Sequence, residues 1–197
     1  MDFFCYGLNH KTAPIAVREK IAMPKSRMPE ALTQLKSFQD LSETLVLSTC
    51  NRTEYYVMAE SAQQLEKSLN QFVLNFYGVN LSGFNEHFYR YQNDAALKHL
   101  FSVVSGLDAM VVGEDQIVSQ FKEAYGLATE VGNVKKYLHS IAQKALNVGK
   151  RVRTETAIGS NPASIASVAL QLSKSVFGSL KGLNCLLLGA GENAQLM

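Results

Sequence analysis

Cys50 is the residue of this sequence best placed for covalent chemistry, because it lies in a polar junction between two apolar runs. Thr49, Asn51 and Arg52 flank it. A loop position gives a substrate access, and a nearby guanidinium favours the thiolate, which is the nucleophilic form of the side chain. Cys50 is therefore a candidate nucleophile. The alternative is a half-buried loop cysteine without a chemical role.

The other two cysteines, Cys5 and Cys185, lie inside apolar runs that resemble strands. We expect both to be inert core residues, because burial raises the pKa of a thiol. Cysteines at these spacings suit neither a disulfide framework nor a zinc site. A reducing cytoplasm is the expected compartment.

His99 is a second candidate, on a predicted helix that begins at Asn93. Its imidazole could position a carbonyl group or transfer a proton near neutral pH. The alternative is a surface or packing residue. His10, in a polar loop, has the same two interpretations.

Gln116 and Gln120 are four residues apart and share one face of a helix predicted to open at Glu114. Together with Glu114 and Asp115 they could bind the ammonium and carboxylate groups of an amino acid. The alternative is that the two acids only complement the helix dipole.

Residues 183–188 form a continuous apolar run, which predicts a strand buried on both faces of a parallel sheet. A GxGxxA turn follows, the arrangement that brings the backbone of a dinucleotide-binding fold close to a pyrophosphate. The turn consists of Gly189, Ala190, Gly191, Glu192, Asn193 and Ala194. An ordinary strand-to-helix turn is the alternative. Because the sequence stops at Met197, within the first turn of the expected helix, we expect it to be part of a longer protein.

A cluster of basic residues marks one helical stretch that has few acids. Its members are Lys135, Lys136, Lys144, Lys150, Arg151 and Arg153. The formal net charge of the whole chain is only +2, so the local concentration of charge carries the signal. The cluster predicts either contact with a phosphate backbone or a solvated helix face.

The elements that must position these residues are mixed strands and helices, followed by helices alone. Hydrophobic periodicity predicts strands at 3–8, 43–47, 54–58 and 87–91, and helices at 29–38, 62–76, 114–131, 135–154 and 161–177. Further helices begin near Pro14, capped by Thr12, and at Asn93. The chain has 197 residues, of which 47% are hydrophobic and 18% charged, as in globular proteins. No apolar run reaches the roughly 18 residues that a transmembrane helix needs.

Five segments of the sequence also resemble signatures of the glutamyl-tRNA reductases. They are GLNHKTAP at 7–14, LSTCNRTE at 47–54, SGLD at 105–108, VGEDQI at 112–117 and KRVRTET at 150–156. They occur in the order expected for the family, and the resemblance covers essentially the whole chain. Several ordered motifs are far more specific than a single glycine pattern.

The resemblance implies that Cys50 attacks the ester bond between glutamate and its tRNA, which gives a thioester and releases the tRNA. NADPH would then reduce the thioester to glutamate-1-semialdehyde, the first committed precursor of tetrapyrroles on this route. A thioester accepts hydride more readily than an oxygen ester, and covalent capture holds the acyl group in place.

By the same resemblance, His99 is important for activity, and Arg52 suits the side-chain carboxylate of glutamate, which a guanidinium can bind with two hydrogen bonds. The implied substrate-binding positions are Thr49, Asn51, Arg52, Glu114, Asp115, Gln116 and Gln120. Residues 189–194 match the turn that holds the NADPH phosphates. Ala109 stands where the family commonly has a substrate-contacting serine, so a hydroxyl contact is absent and Ala109 is a weaker assignment than its neighbours.

The implied fold class is α/β, with two domains. Residues 1–158 would form an α+β catalytic domain with a helical second half, and residues 159–197 the truncated beginning of a Rossmann-type NADPH-binding domain. Full-length relatives add a long helix and a domain through which they form homodimers. The implied partners are tRNA(Glu) charged with glutamate and glutamate-1-semialdehyde aminomutase, with no membrane.

Two other functions remain open at this point. One is a shikimate-dehydrogenase-like NAD(P) oxidoreductase that acts on a free small acid without tRNA. The other is a non-catalytic tRNA-binding module in which Cys50 is only structural. The cysteine in its polar junction and the basic cluster argue against the first, and thiol reactivity at Cys50 would argue against the second.

Overall fold

The computed structural model describes residues 1–159, 165–186 and 188–189. Within them, four strands form one antiparallel sheet in the order β2-β3-β1-β4. The strands are β1 (Asp2–Asn9), β2 (Leu41–Ser48), β3 (Arg52–Ala59) and β4 (Tyr89–Gln92). Every residue of β3 is buried, so both faces of the sheet are covered at its centre. The four strands predicted between residues 3 and 91 are confirmed, although β4 starts two residues late because Asn85–His87 forms a 3-10 turn.

The helices in the described part of the chain agree with the predicted ones to within a few residues at each end. They are α1 (Ile15–Ile21), α2 (Met28–Lys36), α3 (Ala62–Tyr77), α4 (Asp94–Val104), α5 (Gln116–Glu130), α6 (Lys136–Glu155) and α7 (Ile165–Phe177). The predicted start of the last helix, at 161–164, lies outside the described residues. Among these helices, none combines the length and apolar character that crossing a membrane requires.

Of the two predicted helix caps, Thr12 is wrong and Asn93 is confirmed in position, and in both cases the side chain bonds to strand β1. The Thr12 hydroxyl accepts the Asn9 N–H at 3.1 Å, and Pro14 occupies the N-cap of α1 without a side-chain bond. Asn93 does occupy the N-cap of α4, but its side-chain oxygen accepts the N–H of Phe3 at 3.1 Å instead of a helical N–H.

A buried carboxylate attaches α6 to the sheet. Glu43, near the start of β2, accepts the backbone N–H groups of Lys135, Tyr137 and Leu138 at 2.8 to 3.0 Å. These are N–H groups that a helix start leaves without internal partners. The first turn of α6 therefore lies at the end of β2 opposite to Cys50.

The prediction of a buried strand near the end of the chain is wrong for the residues that the structure describes there. Residues 183–186 form no strand, and Leu183, Leu186 and Leu188 are 53%, 82% and 89% exposed. Cys185 is exposed as well, not a core residue. A parallel strand depends on neighbouring strands for its hydrogen bonds and on helices for its burial, and no described segment provides them. Residues 190–194 lie outside the described residues, and the domain division at 158 stays a prediction.

Two glycine-to-alanine changes are expected to affect stability in opposite directions. A Cβ on Gly7, in β1, would lie 2.7 Å from the Thr53 carbonyl oxygen and 2.8 Å from Glu54 Cγ on β3, so Gly7→Ala should cost about 3 kcal/mol. A Cβ on Gly126, in α5, would meet no atom within 4 Å, so Gly126→Ala should stabilise the protein by roughly 0.5 to 1 kcal/mol. Denaturant unfolding of both variants measures this, and equal effects would contradict the close approach of β1 to β3.

Candidate active site

Cys50 lies at the tip of the hairpin that joins β2 to β3. The Thr49 N–H donates to the Arg52 carbonyl at 2.8 Å, and the Thr49 hydroxyl accepts the N–H groups of Asn51 and Arg52 at 3.1 and 3.2 Å. Short hairpins commonly need residues with positive φ, but neither Cys50 nor Asn51 has one. The threonine hydroxyl holds the turn instead. The structure confirms that Cys50 is an exposed loop residue, on a backbone fixed by hydrogen bonds.

A guanidinium that the sequence analysis did not single out lies at this loop. Arg18, on α1, donates from Nη1 to the carbonyl oxygen of Cys50. Arg52 has a side chain only 2% exposed, and it is absent from the lining of the cavity beside Cys50. The expectation that Arg52 favours the Cys50 thiolate stays a prediction, and sequence reasoning missed the contact of Arg18 with this loop.

A cavity of about 750 Å³ opens beside Cys50. Its polar lining includes Thr49, Cys50, Gln116 and Gln120, and Gly189 lies on its wall. The two glutamines lie one turn apart on α5, as predicted. Its apolar lining includes Met23, Met28 and Leu127. A mostly apolar cavity with a few convergent polar groups is typical of a small-molecule site.

Behind the hairpin, a buried network of charges is centred on Glu54, which is 0% exposed. Its carboxylate accepts hydrogen bonds from Arg52 Nη1 at 2.8 Å, Tyr56 at 2.5 Å, His99 Nε2 at 2.8 Å and the Tyr89 hydroxyl. Burial alone would raise the pKa of Glu54, but the charge of Arg52 and the hydrogen bond from His99 outweigh it and lower the pKa to about 2. Glu54 is therefore a carboxylate at any ordinary pH.

Asp108 extends this network towards the surface. One carboxylate oxygen lies 3.2 Å from Arg52 Nη1, and the other accepts from Lys11 Nζ at 2.5 Å. Burial would raise the pKa of Asp108, but the Lys11 hydrogen bond and the Arg52 charge lower it. Arg52 is thus held between two carboxylates, and its role as the ligand of a glutamyl carboxylate stays a prediction.

His99 is part of the same network. Its ring lies 5.1 Å from the ring of Tyr89 and 4.9 Å from that of Tyr91, and its Nε2 faces Glu54. Because an ionised carboxylate only accepts hydrogen bonds, Nε2 carries the proton. The geometry fixes one tautomer and one ring orientation.

The remaining predicted positions lie around the start of α5. The helix begins at Gln116, two residues later than predicted. Glu114 and Asp115 instead contact Arg153 of α6: the Glu114 carbonyl oxygen accepts from it at 2.8 Å, and the Asp115 carboxylate forms an ion pair. Burial raises the pKa of Glu114. Ala109 is half-buried beside Asp108. None of the three, nor Asn51, is in the cavity lining.

The sequence matches the family model described as the N-terminal domain of glutamyl-tRNA(Glu) reductase over residues 6–156. The chain belongs to the glutamyl-tRNA reductase family. It is 43% identical over 196 residues to glutamyl-tRNA reductase 2 of Koribacter versatilis. The aligned region covers 100% of this chain and 44% of that protein. The glutamyl-tRNA reductase of Pseudomonas fluorescens is 40% identical, with 100% and 46% covered.

A solved structure of the same family has a similar fold. The glutamyl-tRNA reductase from Methanopyrus kandleri superposes with a TM-score of 0.68 at 32% identity, covering 97% of this chain and 44% of that one. The chain therefore spans less than half the length of these glutamyl-tRNA reductases. The match supports the α/β fold with its four-stranded sheet in the described residues.

Proposed function

We propose that this chain carries the acyl-capturing part of a glutamyl-tRNA reductase, which takes glutamate from tRNA(Glu) as a thioester on Cys50. Reduction by NADPH would give glutamate-1-semialdehyde, at the first step of tetrapyrrole synthesis from glutamate. The observation that carries the proposal is an exposed cysteine, on a hairpin fixed by hydrogen bonds, at the wall of a cavity with two glutamines.

The capture step needs only residues of this chain. The Cys50 thiolate attacks the ester carbonyl carbon, a C–S bond forms, and the C–O bond to the terminal ribose breaks. The ribose oxygen leaves with the tRNA and takes a proton from solvent. Gln116 and Gln120, which offer both donors and acceptors, would hold the amino and carboxylate groups of glutamate.

Gly189, the described residue of the predicted nucleotide turn, supports the proposal that this turn binds NADPH. Gly189 has a φ of +117°, a conformation that side chains disfavour, and it lies on the wall of the Cys50 cavity. Gly189 with residues 190–194 would hold the phosphates. When bound, NADPH supplies the hydride that converts the thioester into an aldehyde and returns the thiolate to Cys50.

The family resemblance alone supports three further proposals. They are a cytoplasmic location, a homodimer formed by parts of the protein beyond this chain, and delivery of the unstable aldehyde to glutamate-1-semialdehyde aminomutase. A dehydrogenase acting on a free acid is disfavoured, because it would not need a cysteine at the wall of its cavity.

The first test is to mix the chain with tRNA(Glu) carrying labelled glutamate, without NADPH. We expect a glutamyl adduct that hydroxylamine removes, located on Cys50 by intact-mass and peptide analysis. The physical reason is that acylation needs the thiolate and the cavity but no hydride donor. Folded protein that stays unmodified, both as this chain and in a full-length enzyme, would contradict the proposal.

A further inference from the structure

The solvent-facing side of α6 carries positive charges and hydrogen-bond donors, but no carboxylate before the last residue of the helix. The buried line of α6 is Leu138, Ala142, Ala145 and Gly149. With about 3.6 residues per turn, the opposite side presents one set of residues, all exposed. They are Lys136, Ser140, Gln143, Lys144, Asn147, Lys150, Arg151 and Thr154. We call this set the basic face.

The basic face differs from an ordinary solvated helix face. Such faces usually mix both signs of charge, because opposite charges three or four residues apart stabilise a helix. Here Arg151 pairs with Glu155. Lys136, Lys144 and Lys150 have no ion pair with any described residue.

The basic face leads towards the Cys50 cavity. At one end, Glu43 fixes the first turn of α6 to the start of β2. At the other end, Arg153 binds Glu114 and Asp115, directly before Gln116 in the cavity lining. The 20 residues of α6 span about 30 Å, so the face extends from near the cavity to the far end of the sheet.

We propose that the basic face binds the phosphate backbone of the acceptor stem of a tRNA whose 3′ end reaches Cys50. This inference rests on the proposed function and names the surface that holds the substrate. A helix face about 30 Å long can contact several successive phosphates along a duplex. Lysine, serine, asparagine and glutamine are residues that bind phosphate oxygens without reading sequence.

The composition of the face favours a phosphate backbone over a lipid surface. A helix that binds membranes presents a broad apolar side next to its basic one. In α6 the apolar residues other than Tyr137, which is exposed, are buried or half-buried, and α4 packs against Gly149: a Cβ there would lie 2.9 Å from the Val104 carbonyl oxygen. The exposed side has no comparable apolar surface for lipid.

The test compares two triple variants of equal charge change. Lys136→Gln, Lys144→Gln and Lys150→Gln together neutralise the basic face, and Lys67→Gln, Lys174→Gln and Lys181→Gln remove the same charge from exposed positions outside α6. Binding of tRNA(Glu) is measured between low and high salt. We expect the first variant to bind roughly 10- to 100-fold more weakly near 0.1 M salt, with a salt slope lower by about 2 to 3. The control should match the unmodified chain.

A second readout separates this inference from the proposed function. Glutamyl-adenosine, an acyl donor without a stem, should acylate Cys50 equally in all three proteins. If neither donor acylates Cys50, the proposed function fails while the binding data still decide the role of the basic face. Equal tRNA affinity and an equal salt slope in the two triple variants would overturn the inference. Binding to anionic lipid vesicles is measured as well: if the α6 variant lost vesicle binding while its tRNA binding was unchanged, the inference would also be overturned.

Discussion

Replacing Cys50 with serine is expected to lower the reduction of glutamyl-tRNA by roughly 10³-fold or more, because a serine hydroxyl is not ionised at neutral pH and forms no thioester. The fold should be unaffected, since Cys50 is exposed and the Thr49 hydroxyl holds the hairpin turn. Steady-state kinetics in a full-length enzyme carrying Cys50→Ser measures the loss, and thermal unfolding measures the fold.

Cys185→Ser is the matched control, because Cys185 is the other exposed thiol of the described residues and lies outside the Cys50 cavity lining. It should leave activity unchanged and leave the labile adduct on Cys50. If the Cys50→Ser enzyme kept its activity while the Cys185→Ser enzyme lost it, Cys185 would carry the acyl group and our assignment of Cys50 would be wrong. If both kept it, no cysteine thioester would be formed at either position.

The Cys50 hairpin was predictable because its signals are local. Thr49, Cys50 and Asn51 form a polar break between two apolar runs, and such a break indicates a turn whatever the rest of the chain does. The α5 glutamines were predictable for a similar reason, since a spacing of four residues on a helix decides their common face.

The buried network was not predictable, because its members come from distant parts of the chain. Arg52 and Glu54 are two residues apart and share one face of β3, which was a usable signal, yet Asp108 and His99 reach them from separate elements. The sequence indicated only that the Arg52 guanidinium lies near Cys50. Its pairing with Glu54 depends on the burial of β3 on both faces, and burial of that kind arises only when the helices pack.

The predicted burial of Cys185 and residues 183–186 was wrong because it rested on a local apolar run alone. An apolar run predicts burial only if other elements cover it. In the described residues no neighbour does so, and the leucines there are exposed.

The hydrogen bonds of Glu54 lead us to propose that it is a positioning residue. Its carboxylate is bonded at once to the His99 ring and to the Arg52 guanidinium, the two groups that the family resemblance links to catalysis and substrate binding. Glu54 does not line the cavity, so it acts through these two side chains. Gly7 permits this arrangement, because a Cβ there would lie 2.8 Å from Glu54 Cγ.

Glu54→Gln should therefore reduce both stability and turnover. Removing one member of a buried ion pair costs about 3 to 5 kcal/mol, and the amide leaves Arg52 with Asp108 alone. Turnover should fall roughly 10²-fold, as displaced catalytic groups usually cause. The control is Glu43→Gln, because Glu43 is an equally buried carboxylate on β2 that binds backbone N–H groups at the far end of the sheet. It should lose stability without a comparable loss of turnover in the folded enzyme.

The pH dependence of unfolding separates the role of Glu54 from a general packing effect. Its pKa is lowered to about 2 in the folded protein, from roughly 4.3 in an unfolded chain. When the pH falls below the unfolded-state pKa, the Glu54 carboxyl group is protonated in the unfolded chain but still ionised in the folded protein. The contribution of Glu54 to the free energy of unfolding is therefore complete above about pH 5 and is lost as the pH falls towards 2. Glu54→Gln should remove this part of the acid sensitivity, measured as the free energy of unfolding from pH 6 to 3. An unchanged slope, with turnover no lower than in Glu43→Gln, would show that Glu54 neither holds this charge nor positions His99.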